Sequence, residues 1–192
     1  LRGLVGSEMC IRDSYWRCNY GSTLCEQRIR NAVVTIYNFY NLGNSRIYRM
    51  EEALKQIKSN CKKIVLYGPE STGKTTLAIE LAKYFDVPWV PEFAREYLQK
   101  VWDKEKRVCE PRDLLPIAKG QMEIENRLSK ETDSILICDT NLFETMVYSK
   151  YYYGKNCDPL LEKYAKQNHY DLYLLTNIDV PWVKDDLRDK PN

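Results

Sequence analysis

Lys62 to Phe85 reads KKIVLYGPESTGKTTLAIELAKYF, and the fold turns on how that stretch divides. Ile64, Val65, Leu66 and Tyr67 form an unbroken apolar run ending in Gly68, the pattern of a short strand buried on both faces of a parallel sheet. From Lys74 the apolar residues recur at Leu77, Ala78, Leu81, Ala82 and Phe85, leaving Glu80 and Lys83 for solvent, which predicts an amphipathic helix. Across the junction, Gly68-Pro69-Glu70-Ser71-Thr72-Gly73-Lys74-Thr75 matches G-x-x-x-x-G-K-[ST] in the strand, loop and helix setting that the motif requires. The stretch is a phosphate-binding loop by this reading.

The residue types follow from the chemistry. Glycines at 68 and 73 let the backbone wrap a phosphate with its N–H groups pointing inward. The free N–H groups of the helix's first turn add a partial positive charge, worth about 0.3 to 2 kcal/mol toward an anion. Lys74 is expected to reach the β- and γ-phosphates and the Thr75 hydroxyl to ligate Mg²⁺, with Gly68 through Thr76 as the nucleotide-contacting set. ATP and Mg²⁺ are the expected ligands.

A chain of 192 residues with 44% hydrophobic content suits one domain with an ample core. The net charge of +2 and the lack of a basic stripe interleaved with aromatics argue against a nucleic-acid partner. Seven cysteines without a C-x-x-C pair indicate neither a disulfide framework nor a zinc site, which fits a reduced, cytoplasmic setting. The single histidine, His169, excludes chemistry that needs two and reads as a surface residue near a strand start. No run reaches the length of a membrane span. Oligomeric state is left open, a homo-oligomer included.

The chain begins at Leu1 rather than methionine, and Leu4 to Ser14 (LVGSEMCIRDS) resembles the in-frame translation of a transposase adapter used in preparing sequencing libraries. Residues 1–14 are therefore set aside from fold reasoning. Residues 15–49 are expected to be upstream read-through, the alternative being a real extension with a strand around Val33 to Tyr37. Met50 begins an expected helix and the expected domain, 50–192. Beyond the phosphate loop, the pattern predicts an extended segment at Asp86 to Glu92, a helix from Phe93 to Trp102, a charged loop from Asp103 to Pro111 and a long helix from Arg112 to Glu131. Leu114, Ala118, Met122, Glu125 and Leu128 fall near one face of that helix. Ser134 to Thr140 reads as a second buried strand, Asn141 to Tyr153 as a tyrosine-rich helix, and Asp171 to Thr176 as a third buried strand. The fold class is α/β, a mostly parallel sheet with helices on both faces, and it is expected to be incomplete at its C-terminus. DVPWV occurs at both 86–90 and 179–183 without matching surroundings, a coincidence rather than a repeat, and Thr176 to Asp179 approaches a guanine-reading motif but lacks its lysine.

Ligands of an open α/β sheet sit at the carboxyl ends of its strands. Asp139 falls at such an end, where it can hold Mg²⁺ or take a proton, or simply cap the next helix. Glu92 also falls at a strand end with Arg95 three residues on, so the two can share one side of a pocket or form a surface ion pair. Arg188 lies in a polar segment that reads either as a mobile lid or as a solvated charge. The tyrosines at 148, 151, 152 and 153 are a candidate substrate wall, with ordinary packing as the commoner explanation.

Four segments in order, GPESTGKTTLA, VPEFAREYL, ICDTNLFETMVYSKYYYG and IDVPWVKDDLRD, make the chain from Met50 to Asn192 resemble the kinase domain of NadR-type nicotinamide riboside kinases, grouped with NadR/Ttd14-like ATPase domains. The resemblance implies a kinase-like P-loop nucleoside-triphosphate hydrolase fold. It also implies transfer of the γ-phosphate of ATP to the ribose 5′-hydroxyl of nicotinamide riboside, giving nicotinamide mononucleotide. Carried to this sequence, it puts Lys74 and Thr75 on ATP and Mg²⁺, Asp139 beside the transferring phosphate, Glu92, Arg95 and Asn141 toward the riboside, and Arg188 in the lid. Trp182 or Trp89 could stack on the nicotinamide ring, with core packing as the rival. The adenylyltransferase motif H-x-G-H of bifunctional members needs two histidines and is absent. A kinase of another nucleoside, or a regulatory module that switches with ATP or GTP, remains open, as does which of Glu92 and Asp139 acts as base.

Overall fold

The computed structural model of the chain describes residues 48–154 and 157–181, together with Gln27, Asn31, residues 33–35 and Tyr37. Two compact units are present, Leu1–Ile47 and Tyr48–Asn192. In the first, the described residues are helical, and the Thr35 hydroxyl donates to the Asn31 carbonyl at 2.7 Å. The strand considered around Val33 to Tyr37 is thus helix in the residues described. That run lacks two-residue alternation, and a helix satisfies its own backbone without a partner strand.

Among its described residues the second unit is built on four parallel strands: β1 (Lys62–Tyr67), β2 (Trp89–Val90), β3 (Ile135–Asp139) and β4 (Leu172–Leu175), in the order β2-β3-β1-β4. Val65 pairs with Cys138 of β3 and Tyr173 of β4, and Val90 pairs with Cys138 from the other side. Among the described residues five helices follow the strands or each other: α1 (Lys74–Phe85), α2 (Phe93–Glu105), α3 (Pro111–Leu128), α4 (Leu142–Tyr153) and α5 (Pro159–Gln167).

Alternation along the strands divides the core. Leu66 and Ile137 face α1, which packs Ala78 and Ala82 on them, while Val65, Leu136 and Cys138 face Ile124 and Leu128 of α3. Helices therefore cover both faces, as a parallel sheet requires. A further apolar cluster joins α3, α4 and α5 through Leu114, Met122, Met146 and Leu161. Leu54, fully buried, closes that cluster from helical residues 48–54, so the helix expected to begin at Met50 instead ends soon after it.

Local signals explain where the helices start. Glu110 and Asp113 form a capping box at α3 with Pro111 in the first turn, Asn141 Oδ1 accepts from the Glu144 N–H at α4, and Asp158 caps α5 ahead of Pro159. The long helix thus runs Pro111–Leu128 rather than to Glu131, and α2 continues to Glu105. No helix among the described residues is long and apolar enough to cross a membrane.

β4 reads in the sequence as a buried strand, yet Leu172, Tyr173 and Leu175 are 47%, 50% and 76% exposed. The strand pairs only with β1 and lies at the edge of the described sheet, so its apolar run is covered on one side alone.

At the amino end of β1, away from the loop, Lys63 and Glu125 form a buried ion pair at 2.9 Å. Glu125 also accepts from the Tyr170 hydroxyl at 2.6 Å and the Gln56 amide at 2.8 Å, which satisfies a carboxylate with no exposure to solvent. Placing Glu125 on the apolar face of its helix is thereby explained by a charge partner on the sheet.

Candidate functional site

The strands' carboxyl ends open on a cavity of about 340 Å³, lined by the phosphate loop on one side and by α2, α3 and α4 on the other. The loop's shape is set at its first glycine. Gly68 leaves β1 at φ +147°, and a Cβ there would lie 2.4 Å from the Thr176 hydroxyl. Thr176, just past β4, donates its N–H to the Tyr67 carbonyl at 2.8 Å, and its hydroxyl meets that of Thr72 at 2.6 Å. The loop is pinned to the neighbouring strand by a hydroxyl pair that no motif announces.

Lys74 opens α1 with its ammonium turned back into the loop, donating to the carbonyls of Gly68 and Pro69 at 2.7 Å each. Thr75 donates its hydroxyl to Asp139 Oδ2 at 2.6 Å. Asp139 is fully buried and its Oδ1 has no hydrogen-bond partner among the described residues. Burial raises its carboxyl above the usual range, against the Thr75 bond and the nearby charges of Lys74 and Arg95. A buried carboxylate with an orphaned oxygen beside a threonine hydroxyl fits Mg²⁺, which keeps several waters and takes few protein ligands.

Glu92 occupies the position before α2 and lines the cavity with Arg95. Its carboxyl is raised by burial and by the like charge of Asp139, while Lys74 and Arg95 hold it down. The turn carrying Glu92 is clamped by Gln121 of α3, whose Oε1 accepts from the Phe93 N–H at 2.8 Å and whose Nε2 donates to the Pro91 carbonyl at 3.3 Å. Gly120 makes room for this: a Cβ there would lie 2.1 Å from the Phe93 ring.

The far wall is apolar and aromatic. Tyr148, Tyr152 and Tyr153 line it with Leu98 and Ile117, and the Tyr148 and Tyr152 rings stack at 6.0 Å. Tyr151, named with them, is 69% exposed and does not line the cavity. The Tyr153 hydroxyl donates to the Cys109 carbonyl at 2.7 Å. Arg107 grips Asp113 with two hydrogen bonds, at 2.6 and 3.1 Å, so the connection expected to be a charged loop is fixed as part of the wall.

Glu144 is the residue sequence reasoning missed. It is 6% exposed, lines the cavity from the first turn of α4, and stands 3.3 Å from the Lys74 ammonium. Burial pushes its carboxyl up to about 8, with Lys74 opposing and Glu92 and Asp139 adding to the shift. An acid in a helix's first turn reads as a dipole partner, and nothing local reports the lysine packed against it.

Of the expected site, Glu70 through Thr76, Glu92 and Arg95 line one cavity, and Asp139 joins it through Thr75. Asn141, expected to touch substrate, is fully buried as the cap of α4 and does not line the cavity. Asp139 is thereby relieved of capping. Trp89 packs with Leu66, Ala78 and Ile137 on the α1 face of the sheet, so core packing, not ring stacking, accounts for it. Trp182 and Arg188 lie outside the described residues.

Two solved structures share the fold at a TM-score of 0.53 and 29% identity: NadR in complex with NR, and NadR in complex with NAD and AMP-PNP. Each alignment covers 60% of this chain but only 33% and 34% of the NadR chains, so the chain spans about a third of their length. No curated protein matches significantly. A parallel sheet whose central strand runs into a phosphate loop, with a buried aspartate at the end of the adjacent strand, is the architecture of a P-loop nucleotide-binding domain. Residues 63–192 match the family AAA_28, described as an AAA domain, and the chain belongs to that family.

Proposed function

We propose that the chain is an ATP-dependent kinase that passes the γ-phosphate of Mg-ATP to the ribose 5′-hydroxyl of nicotinamide riboside, giving nicotinamide mononucleotide. The observation that carries this is the shared cavity: the phosphate loop with Lys74 and Thr75 forms one side, and a tyrosine and aliphatic wall with Glu92 and Arg95 forms the other. The likeness to NadR bound to NR, and to NAD with AMP-PNP, supports the same substrates here.

The chain's own residues supply positioning and charge. The loop's N–H groups and Lys74 would hold the terminal phosphates, and Thr75 with Asp139 would hold Mg²⁺, which when bound neutralises charge on the β- and γ-phosphates. Asp139 Oδ2 is committed to Thr75, so Glu92 is the carboxylate proposed to accept the hydroxyl proton. Burial and the neighbouring carboxylate raise Glu92 toward the pH at which a base works best. Tyr148 and Tyr152 offer flat faces to the base. Direct in-line transfer needs no covalent intermediate.

The deciding experiment is transfer of phosphate from Mg-ATP to nicotinamide riboside, with Lys74→Ala as control and a panel of other nucleosides beside it. Nicotinamide mononucleotide formed by the parent and not by the control is expected. Faster transfer to another nucleoside would reject this acceptor, and Mg-ATP binding without transfer to any would reject the kinase in favour of a switch. Glu92→Gln is expected to cut transfer by roughly 10² to 10⁴-fold while leaving Mg-ATP affinity unchanged.

A further inference from the structure

Lys74 makes three contacts within its own site. Its ammonium donates to the Gly68 and Pro69 carbonyls at 2.7 Å each and stands 3.3 Å from Glu144 Oε1. A lysine ammonium has three N–H donors, and two hydrogen bonds and one charge contact engage it within its own site. A phosphate seated in the loop therefore has to take Lys74 from at least one of them. Two of the acceptors are backbone atoms of the loop itself, whereas Glu144 arrives from α4 and holds Lys74 through a side chain.

We propose that Glu144 is a positioning residue that stows Lys74 within the loop when no nucleotide is present and yields it to the nucleotide's terminal phosphates on binding. This rests on the phosphate-loop part of the function proposed above, and not on the identity of the acceptor.

Four features of the site agree with such an exchange. Glu144 and Lys74 are 6% and 9% exposed, so each is costly to leave uncompensated and each holds the other in place. Among the described residues Glu144 Oε2 has no hydrogen-bond partner and Lys74 is the group that ties its carboxyl, so the tie can be broken without dismantling a network of those residues. The groups facing Glu144 are Lys74, Glu92 and Asp139, with the hydroxyls of Tyr67 and Tyr148. An incoming phosphate adds negative charge to that set and weakens the hold of Glu144 on the lysine. Glu144, Tyr148 and Tyr152 are spaced four residues apart on α4 and all line the cavity. Release of Lys74 at one end of the helix is thus physically joined to the aromatic wall at the other.

The test reads binding alone. Mg-ADP and inorganic tripolyphosphate are titrated calorimetrically into the parent chain, Glu144→Gln, Lys74→Met and the double variant, at about pH 9 so that the Glu144 carboxyl is ionised. Removing the competitor is expected to tighten both ligands by roughly 3- to 30-fold in Glu144→Gln, and the gain is expected to vanish in the Lys74→Met background. The glutamine keeps the side chain's size and leaves the backbone bond to Asn141 in place, and a thermal melt checks that the variant folds. Should it not fold, Glu144→Ser is read in the same way. Unchanged or weaker binding in a folded Glu144 variant would overturn the proposal, as would a gain that persists without Lys74. A parent chain that binds neither ligand would overturn the phosphate-loop reading and this inference together. Binding as expected with no phosphate transfer would fail the kinase and leave the inference standing, so the two failures are separable.

Discussion

The Thr75 hydroxyl donates a 2.6 Å hydrogen bond to Asp139 Oδ2, tying the first turn of α1 to the carboxyl end of β3. The same two side chains are the proposed Mg²⁺ ligands, so charge at Asp139 should matter more than shape. Asp139→Asn keeps the shape and removes the charge. Phosphate transfer is expected to fall by roughly 10²-fold or more, with half-maximal rate shifted to higher Mg²⁺. Initial rates across a Mg²⁺ series measure both, and an unaltered Mg²⁺ dependence would take Asp139 out of the metal site.

Gly120 and the Phe93 ring define the next expectation. A Cβ at 120 would lie 2.1 to 2.4 Å from three ring atoms, and Phe93 sits directly after Glu92 on the turn held by Gln121. Gly120→Ala must push the ring and, with it, the carboxylate. A loss of about 1 to 3 kcal/mol in stability is expected from the overpacking, together with reduced transfer and little change in Mg-ATP affinity. Urea denaturation beside kinetics decides it. A stable variant with parental turnover would show that the ring moves without carrying Glu92.

β1, the loop and α1 are legible in Lys62 to Phe85 because one short stretch holds an apolar run, a glycine motif and a helical period in sequence. Asp139 is legible because it ends an apolar run of the same kind. What the sequence hides lies in contacts between distant segments. Glu144 meets Lys74, and Thr176 meets Thr72, only after the sheet has assembled. β4 misleads because LYLL reads alike whether a strand is central or at an edge. α5 is passed over even though Asp158-Pro159 followed by Leu160, Leu161, Tyr164 and Ala165 carries both a cap and a one-sided apolar pattern.

The pair of Lys63 and Glu125 calls for a test of stability rather than activity, since it lies at the opposite end of β1 from the loop. Both side chains are almost wholly buried at 2.9 Å, and Glu125 is further bonded to Tyr170 and Gln56. Lys63→Met strands a buried carboxylate and is expected to cost about 3 to 5 kcal/mol. Adding Glu125→Gln, which removes the stranded charge, is expected to restore much of that loss. Urea denaturation of the two variants checks this, and a double variant no more stable than Lys63→Met would show that the tyrosine and glutamine bonds, not the ion pair, dominate.

The pH dependence of stability follows from Glu144. Burial, with Glu92 and Asp139 nearby, lifts its carboxyl from the usual 4.5 to about 8 in the folded chain despite the opposing charge of Lys74. Below 4.5 both folded and unfolded chains hold the proton, and Glu144 costs nothing. Between 4.5 and about 8 the unfolded chain has released a proton that the folded chain keeps, so the unfolded state binds fewer protons and stability falls as pH rises. Above that window the loss is complete, at roughly 2 to 5 kcal/mol for a shift of this size. Glu92 and Asp139 are also raised and slope the same way, so the parent alone does not isolate Glu144. Subtracting Glu144→Gln, which cannot titrate, does. Denaturant midpoints across the window are expected to fall more steeply in the parent than in the variant, and parallel slopes would mean that Glu144 is already ionised against Lys74 throughout.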